Sequence, residues 1–320
     1  MREIRIYFVD FWKGFQIEDN FILSALKNQY QVIIDPHHPD YLFYSLYGND
    51  HFRYKNAIKI YFTGENDIPD FNLCDYGIGG VQWNLEDRYF RLPLYALSDG
   101  YEDILVETRL TASLQQPYTH RKFCNFVYSN KQKADPIREE FFHRLSQYKK
   151  VDSGGKYLNN IGGPVADKID FIKDYKFTIA FENSSVPGYT TEKLVDPMRV
   201  NSLPVYWGNP DVENDFNTKS FINVPDYQSM EEAIEEIIRL DTDAEAYLDK
   251  LTQPWIEKDR IIDFRSQLAD FLGAVIEWPL NRAKRIPDYG YCYYYANKQR
   301  IGNSVYKNNF LRPVLKRIIN

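Results

Sequence analysis

The stretch KFTIAFENSSVPGYTTEKLVDPMRVNSLPVYWG, residues 176–208, restricts the fold more than any other part of the chain. Phe177 to Phe181 is a short apolar run with β-branched and aromatic members, the pattern of a buried strand. A polar loop with Pro187 and Gly188 follows, and Thr190-Thr191-Glu192-Lys193 opens a helical segment. Leu203 to Trp207 reads as a second buried strand, closed by Gly208. Strand, loop, helix and strand in this order make a unit with parallel strands and a right-handed crossover. Such a unit sets a helix N-terminus, with free N–H groups and partial positive charge, at the carboxyl end of a strand, where diphosphates bind. Lys193 in the first turn opposes the helix dipole. An anion lying between the two would remove the conflict; a solvated lysine is the equal alternative. Pro197 falls at the seventh position of TEKLVDPMRV, where an unkinked helix would lose about 3 kcal/mol, so a kink or a short helix is expected.

Around this unit the chain alternates as α/β proteins do. Strand patterns cover 3–9, 31–34, 41–46 and Ile58 to Phe62, with a helical pattern at 18–29. The 58–62 strand ends in Thr63-Gly64-Glu65-Asn66, and segments near 75–79 and 91–95 complete a first doubly wound sheet. Pro117 and the basic stretch through Arg121-Lys122 mark the crossing to a second series, which begins with Phe123 to Tyr128. Asp135-Pro136-Ile137-Arg138 opens a helix with proline in its first turn. A loop-rich passage with Gly154-Gly155 and Gly162-Gly163-Pro164 precedes a helix near 166–174. Helical patterns at 229–240, 244–251 and 258–278 close the body. The expected fold is α/β, two Rossmann-like domains facing a cleft, with boundaries at 1–120 and 121–280 and a tail at 281–320.

With 44% hydrophobic and 16% aromatic residues, the chain is not of the disordered class. Cys74, Cys124 and Cys292 are too widely spaced for a disulfide framework or a CxxC pair, which fits a reducing compartment. MREIRIYFVDFWKG places Asp10 and Lys13 where a signal peptide needs an unbroken apolar core, and no stretch approaches the length of a membrane span. A cytoplasmic location is expected. Net charge is −6, yet residues 282–320 hold nine Lys/Arg against Asp288, leaving about −14 for the rest. That balance argues against nucleic acid as a partner of the body and sets the tail apart. The tail runs from Tyr289, Tyr291 and Tyr293–Tyr295 to NFLRPVLKRIIN, where Leu311, Val314, Leu315, Ile318 and Ile319 alternate with Arg312, Lys316 and Arg317. A basic amphipathic end can rest peripherally on an anionic membrane surface or pack as a last helix on the first domain; the residues favour neither. Pro313 limits that end to roughly two helical turns.

FENSSVPGYTTEK followed by PVYWGNP resembles the donor-binding signature of the bacterial α1,3/α1,4-fucosyltransferases, the Lewis-antigen type that uses GDP-fucose. YFTGENDIPDFNLCDYGIGG (61–80) and DRYFRLPLY (87–95) are similar to a second block of that family, in the same order. FVYSN (126–130) with Arg138, and DFNTKSFINVPDY (215–227), extend the likeness to roughly residues 58–275. The resemblance implies the GT-B fold and inverting transfer of L-fucose from GDP-fucose to a GlcNAc-containing glycan, with O3 as the expected hydroxyl. Type 1 against type 2 preference and oligomeric state stay open. Lipopolysaccharide or capsule assembly at the inner face of the cytoplasmic membrane would follow. Some members carry tandem heptads before a basic end; none occur here.

Glycosyl transfer needs a base for the acceptor hydroxyl, positive groups for the departing diphosphate and a pocket that fixes the line of attack. From spacing alone Arg138 is an ordinary surface arginine; the resemblance makes it the phosphate-binding arginine, with Lys193 beside it. An arginine suits phosphate through its bidentate fork and a lysine as a point charge. The resemblance also places Asn183 and Tyr189 on the nucleotide sugar, and Lys168 near the nucleotide. Glu192 either caps its helix or binds a ribose or fucose hydroxyl. Glu182, directly after the strand, either joins Asn183 and Tyr189 on the nucleotide sugar or simply caps local amides. Glu65 sits in a loop where a glutamate is ordinarily solvated; its assignment as general base rests on the resemblance. Residues 11–20 and 81–86 are the expected acceptor loops. Asp241-Thr242-Asp243 has the DxD form of metal-dependent transferases, but it lies between helical segments and reads as an N-cap. His37-His38 with Asp40 reads as a turn. No cofactor beyond the donor substrate is expected, and a divalent ion assisting without a dedicated site stays open. A transferase of another nucleotide sugar, or an inactive glycan-binding protein of the same fold, are the alternatives. A Rossmann oxidoreductase is disfavoured, since no G-x-G-x-x-G follows the first strand.

Overall fold

The computed structural model describes residues 1–98, 100–105, 116–129, 131, 134–287 and 289–307. The chain opens with β1 (Arg2–Val9), α1 (Phe21–Leu26), β2 (Tyr30–Ile34), β3 (Tyr41–Tyr44), β4 (Ile58–Thr63), β5 (Tyr76–Gly79) and β6 (Tyr89–Arg91). Next come α2 (Gly100–Leu105), α3 (Gln116–Thr119), β7 (Lys122–Phe126), α4 (Ile137–Tyr148), β8 (Val151–Ser153) and α5 (Lys168–Ile172). β9 (Tyr175–Phe181), α6 (Glu192–Arg199), β10 (Leu203–Trp207) and β11 (Ile222–Asn223) follow. The run ends with α7 (Met230–Thr242), α8 (Ala244–Thr252), α9 (Phe264–Glu277), α10 (Leu280–Ala283) and α11 (Gly290–Lys307).

Among the described residues the strands form two wholly parallel sheets, ordered β2-β1-β3-β4-β5-β6 and β11-β10-β9-β7-β8. In each, the first strand lies between the second and the third, so the winding reverses at β1/β3 and at β7/β9. Ligands of open parallel sheets bind at the carboxyl ends of the strands flanking such a reversal. β9 is buried along its whole length, as a central parallel strand covered on both faces must be. Its one charged residue, Lys176, is satisfied by Asp241, with Nζ–Oδ1 at 2.8 Å.

The chain forms two units, one of residues 1–79, 83–92 and 263–320, the other of 80–82 and 93–262. The expected boundaries at 120 and 280 are therefore corrected at both ends. Residues 93–120 go with the second unit because Tyr95 packs on Phe216 and Arg199 pairs with Asp103 at 2.6 Å. α9 returns to the first unit, where Arg2 Nη1 donates to the Ile276 carbonyl at 3.0 Å and Phe271 stacks on Phe90. The tail does not begin as a separate element either: the amides of Arg285 and Ile286 donate to Asp75, pinning 285–286 on β5. Its expected basic end, residues 309–320, lies outside the described residues.

Several elements differ from their expected spans. α1 is shorter than 18–29, because Asn20 caps the Leu23 amide and fixes the start. α9 starts at 264 rather than 258, where Asp263 caps Ser266. The expected strand at 91–95 ends as β6 at Arg91 and continues as a 3-10 turn, Leu94–Leu97. Pro197 sits in the last turn of the eight-residue α6, the short helix expected of it.

Candidate active site

The second unit gathers polar side chains at the β7/β9 reversal. Where β9 ends, the Glu182 amide still donates to the Trp207 carbonyl at 2.8 Å, so its side chain turns inward. That carboxylate is fully buried. Oε1 accepts from the Thr191 amide at 2.7 Å, and Oε2 accepts from Lys193 Nζ at 3.1 Å. Thr191 Oγ1 lies 3.0 Å from both oxygens. Gly208 makes room for it, since a Cβ there would fall 2.5 Å from Glu182 Cγ. An anion beside Lys193 at the start of α6 is thus supplied by the chain itself, and Glu182 accepts from the amide of the N-cap residue, Thr191. Burial draws the Lys193 ammonium down, but Glu182 and then Glu192 outweigh it and hold it above the usual lysine range.

Arg138 reaches the same point from the other side. The Asp135 amide donates to the Asn183 carbonyl at 2.8 Å, which sets the first turn of α4 against the loop after β9. Arg138 is 2% exposed. Its Nη2 reaches Asn183 Oδ1 at 2.7 Å, the Glu182 carbonyl at 2.9 Å and that of Phe181 at 3.3 Å. The guanidinium lies 4.1 Å from the Tyr128 ring centroid. Its Nε is buried with no hydrogen-bond partner. Arg138 and Lys193 therefore converge on consecutive residues, Glu182 and Asn183, at the open end of the second sheet.

The loop over these cations is braced. Asn209 Oδ1 accepts from the Gly188 amide at 2.7 Å, and the Gln82 amide donates to the Pro187 carbonyl at 2.7 Å. Gly188 has φ +83°, and a Cβ there would lie 2.3 Å from Gln82 N, so no other residue fits without strain. Tyr189 is buried beneath the loop, and Glu192 is half-exposed at the first position of α6, 3.9 Å from Lys193. Lys168 is held to Asp196 of α6 at 2.6 Å, so the structure gives it a bracing contact on the site helix. The sequence reading gave no site role to Tyr128, Thr191 or Asn209. Tyr128 lies in the FVYSN stretch of the family likeness, but an aromatic ring at a strand end is common in any core and marked no role.

In the first unit, Glu65 is exposed just past β4. Tyr47 Oη lies 3.4 Å from its Oε1. At the β1/β3 reversal Asp10 accepts from the amides of Asp50 and His51 and from His51 Nδ1 at 2.7 Å. Burial holds His51 below its ordinary 6.5, so it stays a neutral donor to Asp10. Burial would raise Asp10, but the bonds from His51 and Asp50 more than offset it and keep the carboxyl below its ordinary 3.8. Both groups thus bind fewer protons folded than unfolded, so stability falls with pH below about 6.5 and again below about 3.8. His51→Asn is expected to flatten the upper step, read by denaturant titration of the whole chain between pH 7 and 5; an unchanged slope would refute the assignment.

The carboxylates of Asp241 and Asp243 are taken by neighbouring groups of the chain. Asp241 takes Lys176 and Lys149, and Asp243 caps α8 through the Ala246 amide at 3.0 Å. Asp35 accepts from the amides of His37 and His38, the turn expected there.

Two parallel sheets, each reversing after its first strand, with paired cations at a helix N-terminus in the second, are the architecture of the GT-B glycosyltransferases. The family model for the α-(1,3)-fucosyltransferase FucT N-terminal domain matches residues 6–98, and that for the C-terminal part of glycosyltransferase family 10 (fucosyltransferase) matches 118–271. The chain belongs to this fucosyltransferase family. It is 32% identical over 286 residues to the α-(1,3)-fucosyltransferase FucT of Helicobacter pylori, covering 78% of this chain and 59% of that one. The chain thus spans somewhat over half the length of that relative. A crystal structure of an α1,3-fucosyltransferase with GDP-fucose superposes with TM-score 0.71 at 28% identity, over 87% of this chain and 92% of that one. A further α1,3-fucosyltransferase crystal structure gives 0.74 at 28% identity, over 89% and 93%.

Proposed function

We propose that the chain is an inverting fucosyltransferase that moves L-fucose from GDP-fucose to O3 of a GlcNAc residue in a Galβ-GlcNAc-type glycan. The observation that carries this reading is the convergence of Arg138 and Lys193 on Glu182–Asn183, at the N-terminus of α6. The site's cations face the diphosphate, with Asn183, Tyr189 and Glu192 positioning the nucleotide sugar. Glu65 takes the proton of the acceptor hydroxyl as its oxygen bonds to fucose C1. The C1–O bond to the diphosphate breaks, and GDP leaves with the electron pair, its charge met by Arg138 and Lys193. The relatives' names and the GDP-fucose complex support the donor, and no dedicated metal ligands enter the scheme. Transfer to Lewis-type glycans at the cytoplasmic face of a membrane fits the same reading.

Glu65→Gln is expected to lower kcat by about a hundredfold or more while GDP-fucose affinity stays within about twofold, since a general base contributes of that order. Radiolabelled GDP-fucose with N-acetyllactosamine as acceptor measures the first, and calorimetry the second. Turnover of GDP-mannose or a UDP-sugar in place of GDP-fucose would overturn the donor, and glycan binding without GDP release would mark an inactive module.

A further inference from the structure

We propose that the carboxyl ends of β1, β3 and β4 form a saccharide subsite, in which the rings of Trp12 and Tyr47 take the face of the acceptor sugar beside Glu65. This rests on the transfer reading and assigns the residues that would hold its acceptor. Trp12 is 41% and Tyr47 50% exposed, their ring centroids 6.5 Å apart with planes at 76°. The Tyr47 hydroxyl borders the Glu65 carboxylate. Pyranose rings carry an apolar C–H face and a rim of hydroxyls. Two exposed aromatic faces at an angle, next to one carboxylate, match both features.

The platform is built, not incidental. Asp10 is a non-glycine residue at φ +61°, and with His51 it forms a buried polar pair, their side chains 3% and 7% exposed. Left-handed backbone and buried polar pairs are both costly, and here their common effect is to hold one turn. The Asp10 carbonyl accepts from the Tyr47 amide at 3.0 Å. Gly48 is pressed so close to the Asp10 carboxylate that a Cβ would lie 2.3 Å from Oδ1. From below, Phe15 and Phe62 back the Trp12 ring at 5.1 and 6.4 Å. The aromatic pair therefore stands on a fixed base at the point where the first sheet reverses, the place an open parallel sheet uses for ligands.

The test is the acceptor kinetics of Trp12→Ala, Tyr47→Ala and Tyr47→Phe with N-acetyllactosamine, alongside GDP affinity by calorimetry. The two alanine variants are expected to raise acceptor KM about tenfold, with GDP affinity and thermal midpoint unchanged, and Tyr47→Phe to recover most of the loss because it keeps the ring. Unchanged KM in both alanine variants, or a parallel loss of GDP affinity, would overturn the subsite. Saturation-transfer NMR of N-acetyllactosamine on the whole chain separates this from the donor reading. If the chain turns over no GDP-fucose but the sugar signal disappears in Trp12→Ala, the donor reading fails and the subsite stands. If turnover is normal and the signal survives in Trp12→Ala, the subsite fails alone.

Discussion

Arg138→Ala is expected to lower kcat/KM for GDP-fucose by about a thousandfold, and Arg138→Lys to restore little of it. The reason is geometric. One nitrogen of the guanidinium ties down the Phe181 and Glu182 carbonyls and Asn183 Oδ1, the group lies over the Tyr128 ring, and Nε is buried without a partner. An ammonium on a four-carbon stem cannot hold the strand end, lie flat on the tyrosine and meet a phosphate at once. Because the residue is buried, turnover should be normalised to folded protein by circular dichroism. Near-normal rates in the lysine variant would mean that Arg138 serves the strand end alone.

The second large effect concerns Glu182. Removing it as alanine leaves the Lys193 ammonium half of a buried pair without its counter-charge, a change that costs about 3 kcal/mol. Chemical denaturation of the second unit's transition should show that loss. Glu182→Gln keeps the volume and an acceptor for Thr191 but removes the charge. In the native chain Lys193 titrates above its ordinary 10.5, so the stability it contributes is complete below pH 10.5 and lost only as pH rises beyond it. Without the carboxylate, burial acts unopposed by its strongest counterweight, and the loss moves to lower pH. GDP affinity of Glu182→Gln should then begin to fall at a lower pH than that of the native protein, which stays flat up to pH 10.5. Parallel affinity curves for the two proteins would show that Glu182 does not set the charge of Lys193.

The β9–α6–β10 unit was legible because its strands are unbroken apolar runs and Thr191 is an ordinary N-cap. The winding order was not legible, since β8 and β11 are three and two residues long and carry no periodicity. Cations at strand ends could be named from resemblance, and the structure brings Arg138 and Lys193 to one place. What they touch could not be read: the partners of Glu182 lie nine and eleven residues on, across a loop whose path depends on Asn209 and Gln82. The domain boundary failed for a related reason. Whether a helix at 264–277 closes one half or returns to the other is decided by its fit against α1, not by its own sequence.

That return has a practical result for anyone recombining chains of this family. A gene chimaera that exchanges the amino-terminal half up to residue 92 alone would graft β1–β6 without the helix that completes them. A working swap has to move two separate pieces of coding sequence, the second starting at Asp263, whereas the second unit is almost wholly contained in the single stretch from Pro93 to Ile262.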